Sequence, residues 1–214
     1  MSEAEEAAVA LDGRTLGRRG IETRAKLLDA TEARLASQGV RELRVVDIAR
    51  SVGTSPATFY QYFSDVEEAV LALAEDVVVD IEPIVTEIDG DWAGDGLERA
   101  RKVVGAFVRY WDTNRVVLRV RNLAAEEGDE RFREARLETL RPVTAALDDQ
   151  IAANQAAGAV SAEMSSYAAA AALVAMLERI GAYHLALGDK ISDTEIIETS
   201  ARILHATVSG TWAQ

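Results

Sequence analysis

Residues 45–63 read VVDIARSVGTSPATFYQYF, and their spacing decides the fold. Val45, Ile48, Ala49 and Val52 fall at i, i+3, i+4 and i+7, one apolar stripe on a helix of about two turns. Gly53 ends it, because a sharp turn after a helix favours the left-handed conformation that glycine adopts without strain. Ser55 supplies an N-cap oxygen and Pro56 a first helical residue whose missing N–H costs nothing. Phe59 and Phe63, four apart, anchor the second helix inward and leave Ala57, Thr58, Tyr60, Gln61 and Tyr62 on faces that look outward. Two short helices joined by a glycine-containing turn form the helix-turn-helix plan. Hydroxyl, amide and phenol groups on the second helix suit base edges and phosphate oxygens. A plain helical hairpin inside an all-α core fits the same spacing.

Outward from this stretch, almost every segment keeps helical period. Arg19 to Gln38 carries Ile21, Ala25, Leu28 and Leu35 in phase, with Gly39 as a C-terminal cap. Asp65 and Glu68 form a capping-box pair opening a helix through about Asp80. Asp95 and Glu98 form a second, ahead of Leu97, Ala100, Val104, Phe107 and Trp111. Ser192 and Glu195 form a third, ahead of Ile197, Ala201, Leu204 and Val208. Further helices are expected over about 116–126, 129–157 with a kink or break at Pro142, and 161–187. The expectation is an all-α chain of about nine helices, with no sheet and no internal repeat.

Charge divides the chain where the helices do. The net charge of −13 argues at first against nucleic acid. Its distribution argues otherwise: residues 1–12 carry −4, residues 13–64 carry nine bases against five acids, and residues 65–214 carry −13. A basic segment on an acidic body suggests that one end meets a polyanion. The expected organisation is a flexible acidic tail over 1–17, a helix-turn-helix domain over 18–64 and a larger helical domain over 65–214. Absence of cysteine removes disulfides, thiolate metal sites and cysteine nucleophiles. The longest apolar run, Tyr167 to Leu177, falls short of the roughly 20 residues of a membrane span. Glu3, Glu5, Glu6 and Asp12 give the start the wrong charge for a signal peptide, so a cytoplasmic protein with no membrane association is expected.

The run from Arg19 to Leu71 resembles the DNA-binding domain of the tetracycline-repressor (TetR) family of bacterial transcription regulators. The resemblance is carried by the leading helix up to Gly39, Val45-Val46-Asp47-Ile48-Ala49, Val52-Gly53-Thr54-Ser55, Thr58-Phe59-Tyr60-Gln61-Tyr62-Phe63 and Glu67-Glu68-Ala69-Val70. Beyond it the chain matches in helical character and length alone. The resemblance implies an N-terminal three-helix DNA-binding domain and a C-terminal helical domain for ligand binding and dimerisation. It makes Ser55 to Tyr62 the recognition helix, with Ala57, Thr58, Gln61 and Tyr62 toward the major groove and Tyr60 on a phosphate. Thr54, Ser55 and Pro56, where that helix begins, belong to the same set, as do Arg44, Val45 and Val46 at the start of the preceding helix. Arg44 stands where the family has a threonine or serine cap, and Val66 where it has a phosphate-gripping lysine. Affinity would then lean on Arg18, Arg19, Arg24 and Arg44, with Arg18 and Arg19 as an arm toward the minor groove.

The same resemblance implies an effector pocket beyond Asp65 and a homodimer through the last two helices, reading a palindromic operator in double-stranded DNA. Phe107, Tyr110, Trp111 and Asn122, with Met176 and Tyr183, are candidate lining for an apolar or amphipathic small molecule, although aromatics at this spacing equally suit ordinary core. Ligand would favour a state with the recognition helices out of register and so release a repressor. Enzyme chemistry is poorly represented. His184 and His205 lack a glutamate three residues before them, Gly94-Asp95-Gly96 lacks the third glycine of a phosphate loop, and no GxSxG occurs. No catalytic residue, metal or cofactor is expected. Two rival readings stand: a helical ligand-binding or adaptor protein of this architecture with weak or no DNA affinity, and a cofactor-free helical enzyme.

Overall fold

The computed structural model describes residues 11, 13–38, 40–92, 94–188 and 190–211. Glu3, Glu5, Glu6, Asp12 and the expected cap Gly39 lie outside them. Among the described residues the chain is all-α, with nine α-helices. These are α1 (Arg18–Gln38), α2 (Val45–Ser51), α3 (Pro56–Phe59), α4 (Val66–Asp76), α5 (Glu82–Ile88), α6 (Gly96–Glu126), α7 (Glu130–Ala156), α8 (Ser166–Leu187) and α9 (Asp193–Ser209). Two 3-10 turns lie at Val40–Glu42 and Val79–Ile81. The chain divides into two compact units: one runs up to Asp76 and includes Val116–Ala135, the other comprises Val77–Arg115 and Arg136–Gln214.

In the first unit α1 packs on α2 and α4, and α2 packs on α3. Its core is Leu27, Leu28, Leu35, Ile48, Ala49, Phe59, Phe63, Ala69 and Val70, all buried. Each large side chain among them contributes about 1.5–3 kcal/mol of hydrophobic stabilisation. Asp65 caps α4 by accepting the Glu68 amide at 2.8 Å, while the Glu68 carboxylate reaches back to the Ser64 amide. After α6, Asp129 holds the Arg131 guanidinium through both oxygens, at 3.2 and 2.8 Å. Arg131 also reaches Glu67 on α4, at 3.6 Å.

The second unit is sealed by apolar faces of α6 to α9, including Val104, Phe107, Trp111, Leu147, Ile151, Leu177 and Leu204. Helices α6 and α8 meet closely at Gly181, where an added Cβ would lie 2.3 Å from Cδ1 of Trp111. No residue larger than glycine fits that crossing without displacing the indole. Polar ties add direction. Arg101 of α6 donates to both carboxylate oxygens of Glu198 on α9, at 2.6 and 3.1 Å, and Arg202 pairs with the same group. Those hydrogen bonds, Arg101's foremost, hold the Glu198 carboxyl down at about 2. Arg136 of α7 grips the buried Glu178 of α8. His184 of α8 is buried with Nδ1 3.0 Å from Asp193 and Nε2 2.9 Å from Asp112, and Arg115 Nη2 also lies 2.9 Å from Nε2. It is a buried histidine with both ring nitrogens in hydrogen-bonding contact.

Three boundaries differ from the sequence expectation. The break expected between Trp111 and Val116 is absent, and α6 runs through it. The apolar rhythm pauses there because buried polar contacts replace apolar ones: Asn114 donates to the Tyr110 carbonyl and to Asp80, and Arg115 donates to the carbonyls of Gly181 and Ala182. The helix opened by Asp65 stops at Asp76, and α5 follows with Pro83 in its first turn. In a continued helix that proline ring would clash with the Val79 carbonyl. Helix α8 starts beyond Ser161, with Ser165 as cap, because the Ser161 hydroxyl is engaged by the Glu163 amide. Pro142 neither ends nor splits α7; it lies exposed inside one continuous helix. The Ser192–Glu195 capping box forms in full. Helix α8 is long and apolar enough, by length and composition, to cross a membrane, which the 11-residue apolar run within it does not indicate.

Candidate nucleic-acid interface

The turn between α2 and α3 is built as its residues require. The Thr54 amide donates to the Ala49 carbonyl at 2.9 Å and the Gly53 amide to Arg50 at 3.1 Å. Gly53 has φ +73°, in the left-handed region where a side chain would strain the backbone. Ser55 Oγ accepts the Thr58 amide at 3.2 Å and lies 3.1 Å from Thr58 Oγ1, with Pro56 leading the helix. This cap fixes the direction of a helix only four residues long, which has no propensity of its own to rely on.

Beneath the outer face, Phe59 and Phe63 are buried with ring centroids 5.4 Å apart. The Phe59 ring meets Tyr60 edge-on at 5.9 Å, which steadies the tyrosine while it stays 51% exposed. Ser55, Pro56, Ala57 and Gln61 are exposed, and Thr54, Thr58 and Tyr62 half-buried. Regular α3 ends at Phe59, and turns continue through Tyr62, so the outer polar face is a helix and its following turn rather than one helix from Ser55 to Tyr62. On α2, Ile48 and Ala49 are fully buried, Val45 and Val52 half-buried and Val46 48% exposed, off the buried stripe. Arg44 occupies the N-cap position in an extended conformation and makes no side-chain cap bond, so α2 starts without the cap a threonine or serine would give.

The basic residues separate. Arg18 and Arg19 are exposed, with Arg18 paired to Glu22 at 3.0 Å, and Arg44 is exposed. Arg24 turns elsewhere: its guanidinium lies 5.4 Å over the Phe63 ring. Burial raises the carboxyls of Glu75 and Asp76, that of Glu75 further through the neighbouring Asp76 charge, and the charge of Arg24 offsets only part of the rise. The half-buried Val66 opens α4, the position at which the resemblance implies a phosphate-gripping lysine.

The candidate effector residues are not brought together as one lining. Phe107, Tyr110 and Trp111 are buried side by side on α6, with the first two rings 5.9 Å apart. Met176 is half-buried, whereas Tyr183 is 47% exposed with Arg179 stacked 4.0 Å over its ring. Asn122 belongs to the other unit, where its side-chain oxygen accepts from buried Arg121 at 3.1 Å. A groove of about 730 Å³ opens instead between α7 and α8, with Leu137, Leu140, Thr144, Tyr167 and Val174 on its walls. Its only advance signal was apolar residues at outward helical positions, which a sequence shows no more clearly than scattered surface leucines.

Residues 27–73 match the family described as bacterial regulatory proteins, tetR family, and residues 84–213 match the tetracyclin repressor-like C-terminal domain. No curated protein matches the sequence. Among solved structures, a tetR-family bacterial regulatory protein from Rhodococcus RHA1 superposes with a TM-score of 0.69 at 20% identity, over 90% of this chain and 99% of that one. The FadR regulator of Bacillus subtilis in complex with stearoyl-CoA gives 0.65 at 18% identity, over 87% and 98%. A transcriptional regulator from Saccharomonospora viridis in complex with choline gives 0.64 at 20%, over 85% and 94%. At these identities the superpositions establish the fold, and the family matches, one of them spanning more than half of the sequence, establish the kinship: this chain belongs to the tetR family of bacterial regulatory proteins.

Proposed function

We propose that the protein is a transcriptional repressor that binds a palindromic operator as a homodimer and leaves it when a small apolar or amphipathic molecule binds. The observation that carries this is the capped outer face from Ser55 to Tyr62, with Tyr60 and Gln61 exposed above the buried Phe59 and Phe63. In this reading residues 18–64 are the DNA-binding domain and 65–214 the effector and dimerisation domain. Thr54, Ser55, Pro56, Ala57, Thr58, Gln61 and Tyr62 approach the major groove, Tyr60 a phosphate, and Arg18, Arg19, Arg44, Val45 and Val46 the adjoining backbone and base edges.

Dimerisation is supported by outward alanines on α8, at 168, 171, 172 and 175, and by exposed Tyr183 and Ile203. Small residues let helices approach closely, and such a face on an acidic protein favours a partner of its own kind. Two recognition helices about 34 Å apart would meet successive major grooves. The relatives bound to stearoyl-CoA and choline support a small-molecule effector, and the apolar Phe107, Tyr110 and Trp111 favour an apolar or amphipathic one. A protein working on the chromosome acts in the cytoplasm.

The test is a gel shift at low salt with duplex fragments flanking the protein's own gene, alongside mass spectrometry of any molecule the purified protein retains. Retarded bands that disappear on adding the retained molecule are expected. A folded dimer that retards no fragment overturns the DNA-binding part and leaves a helical ligand-binding protein.

A further inference from the structure

We infer that the outer face of α8 packs antiparallel on α8 of a second copy of this chain, and that Arg179 of each copy enters the α7–α8 groove of the other and pairs with Asp148 there. The inference rests on the homodimer proposed above and gives it a register. Two ties set the alignment of the groove's walls. Arg136 grips Glu178 at one end, and Gln155 Nε2 donates to the Met164 carbonyl at 2.6 Å at the other. Helices α7 and α8 therefore run antiparallel, with Asp148 level with the first turns of α8. Asp148 and Tyr167 line that end of the groove, and Tyr167 is 64% exposed. Among the charged residues of the lining, Arg136 is paired with Glu178 and Arg141 with Glu138. Asp148 has no ionic partner among the described residues, so the groove is short of one cation.

The matching cation stands on α8 itself. Ala168, Ala171, Ala172, Ala175 and Arg179 follow at helical spacing along the exposed side of the helix. The Arg179 guanidinium lies 4.0 Å over the ring of Tyr183, which keeps it on this face, one turn toward the helix C-terminus. It has no carboxylate partner among the described residues. Small side chains let two such faces approach closely. Packed parallel, the faces would set Arg179 against Arg179 of the partner subunit, a like-charge contact. Packed antiparallel about a two-fold axis between Ala172 and Ala175, they set alanine on alanine and bring Arg179 opposite the first turn of the other α8. That turn borders the end of the groove that holds Tyr167 and Asp148. The guanidinium there meets a carboxylate it can fork and an exposed aromatic ring beside it. Two-fold symmetry makes the contact twice, once from each copy.

The experiment measures the dimer dissociation constant of the full-length protein by sedimentation velocity, with circular dichroism melts to confirm that each variant folds. Asp148→Arg and Arg179→Asp should each raise it about 100-fold, because each sets like charges together at both symmetric contacts. Asp149→Arg, at the exposed neighbouring position, should leave it unchanged. Mixing the Asp148→Arg protein with the Arg179→Asp protein should give a heterodimer within about 3-fold of wild-type affinity, since opposite charges then meet at both contacts. Neither a folding defect nor a pairing within one chain is repaired by mixing. A wild-type dimer that neither reversal weakens overturns this register and leaves the homodimer standing. Reversals that weaken the dimer without rescue on mixing overturn the pairing of Asp148 with Arg179. A wild type that stays monomeric overturns the homodimer reading and this contact with it, and leaves the groove to a small molecule.

Discussion

Replacing Gly181 by alanine sets two known effects against each other at one atom. In an isolated helix the change is favourable by about 1 kcal/mol, because glycine gives up more backbone freedom. Here the new methyl would stand 2.3 Å from Cδ1, 2.6 Å from Cγ and 3.0 Å from Cβ of Trp111. Trp111 is 1% exposed and has nowhere to go, so the indole or the α6–α8 crossing must shift by about 1 Å. Overpacking of this kind costs about 1–3 kcal/mol. The expected outcome is a net loss of about 1 kcal/mol in the wild-type background, and a gain of up to about 1 kcal/mol when Trp111 is already alanine. The coupling is then about 2 kcal/mol, well outside the additivity of separate sites. Urea melts followed by helical circular dichroism on the four proteins of the cycle measure it. If Gly181→Ala stabilises the protein with Trp111 in place, the close crossing of α6 and α8 is refuted.

Tyr60→Ala should weaken binding about equally on all operator variants, whereas Gln61→Ala should change the order of preference among them. Equal effects across a panel of operator mutants would undo that division between phosphate and base contacts. His184→Leu removes the buried imidazole that lies between Asp112 of α6 and Asp193 of α9, and should cost about 2 kcal/mol in denaturant melts. Unaltered stability would mean that the tie holds nothing. Burial pushes the His205 imidazole below its ordinary value, against an opposing hydrogen bond to the Thr211 backbone. The unfolded chain therefore takes up this proton more readily, and the contribution present above about pH 6.5 is lost as the pH falls below it. The drop in melting temperature between pH 7.5 and 5.5 should be smaller in His205→Gln than in wild type, and an equal drop in both contradicts the assignment.

The helix-turn-helix was legible because it depends on local rules. A glycine at the turn, a serine before a proline and two phenylalanines four apart each dictate backbone or burial with no distant partner. The capping box at Ser192 was legible for the same reason. What escaped was decided by residues far apart in the chain. Asn114 and Arg115 look like a break when read along the sequence and keep α6 helical only because Asp80 and the α8 carbonyls receive them. The stacking of Arg24 over the Phe63 ring follows from no spacing rule along the chain. Tyr183 reads as pocket lining, but its helix turns it outward under Arg179. Periodicity shows which side of a helix is apolar and not which neighbour will cover it, and the groove between α7 and α8 belongs to that second kind of information.

The unbroken course of α6 has a mechanical consequence for the helix itself. At 1.5 Å per residue its 31 residues make a rod about 46 Å long. The level of Phe107 and Trp111 belongs to one compact unit, and the last turns of the same rod belong to the other. Two helices with a joint at Asp112 would let a torsional twist near the aromatics dissipate in the hinge. A single helix has no such joint: its backbone hydrogen-bond ladder continues through that level.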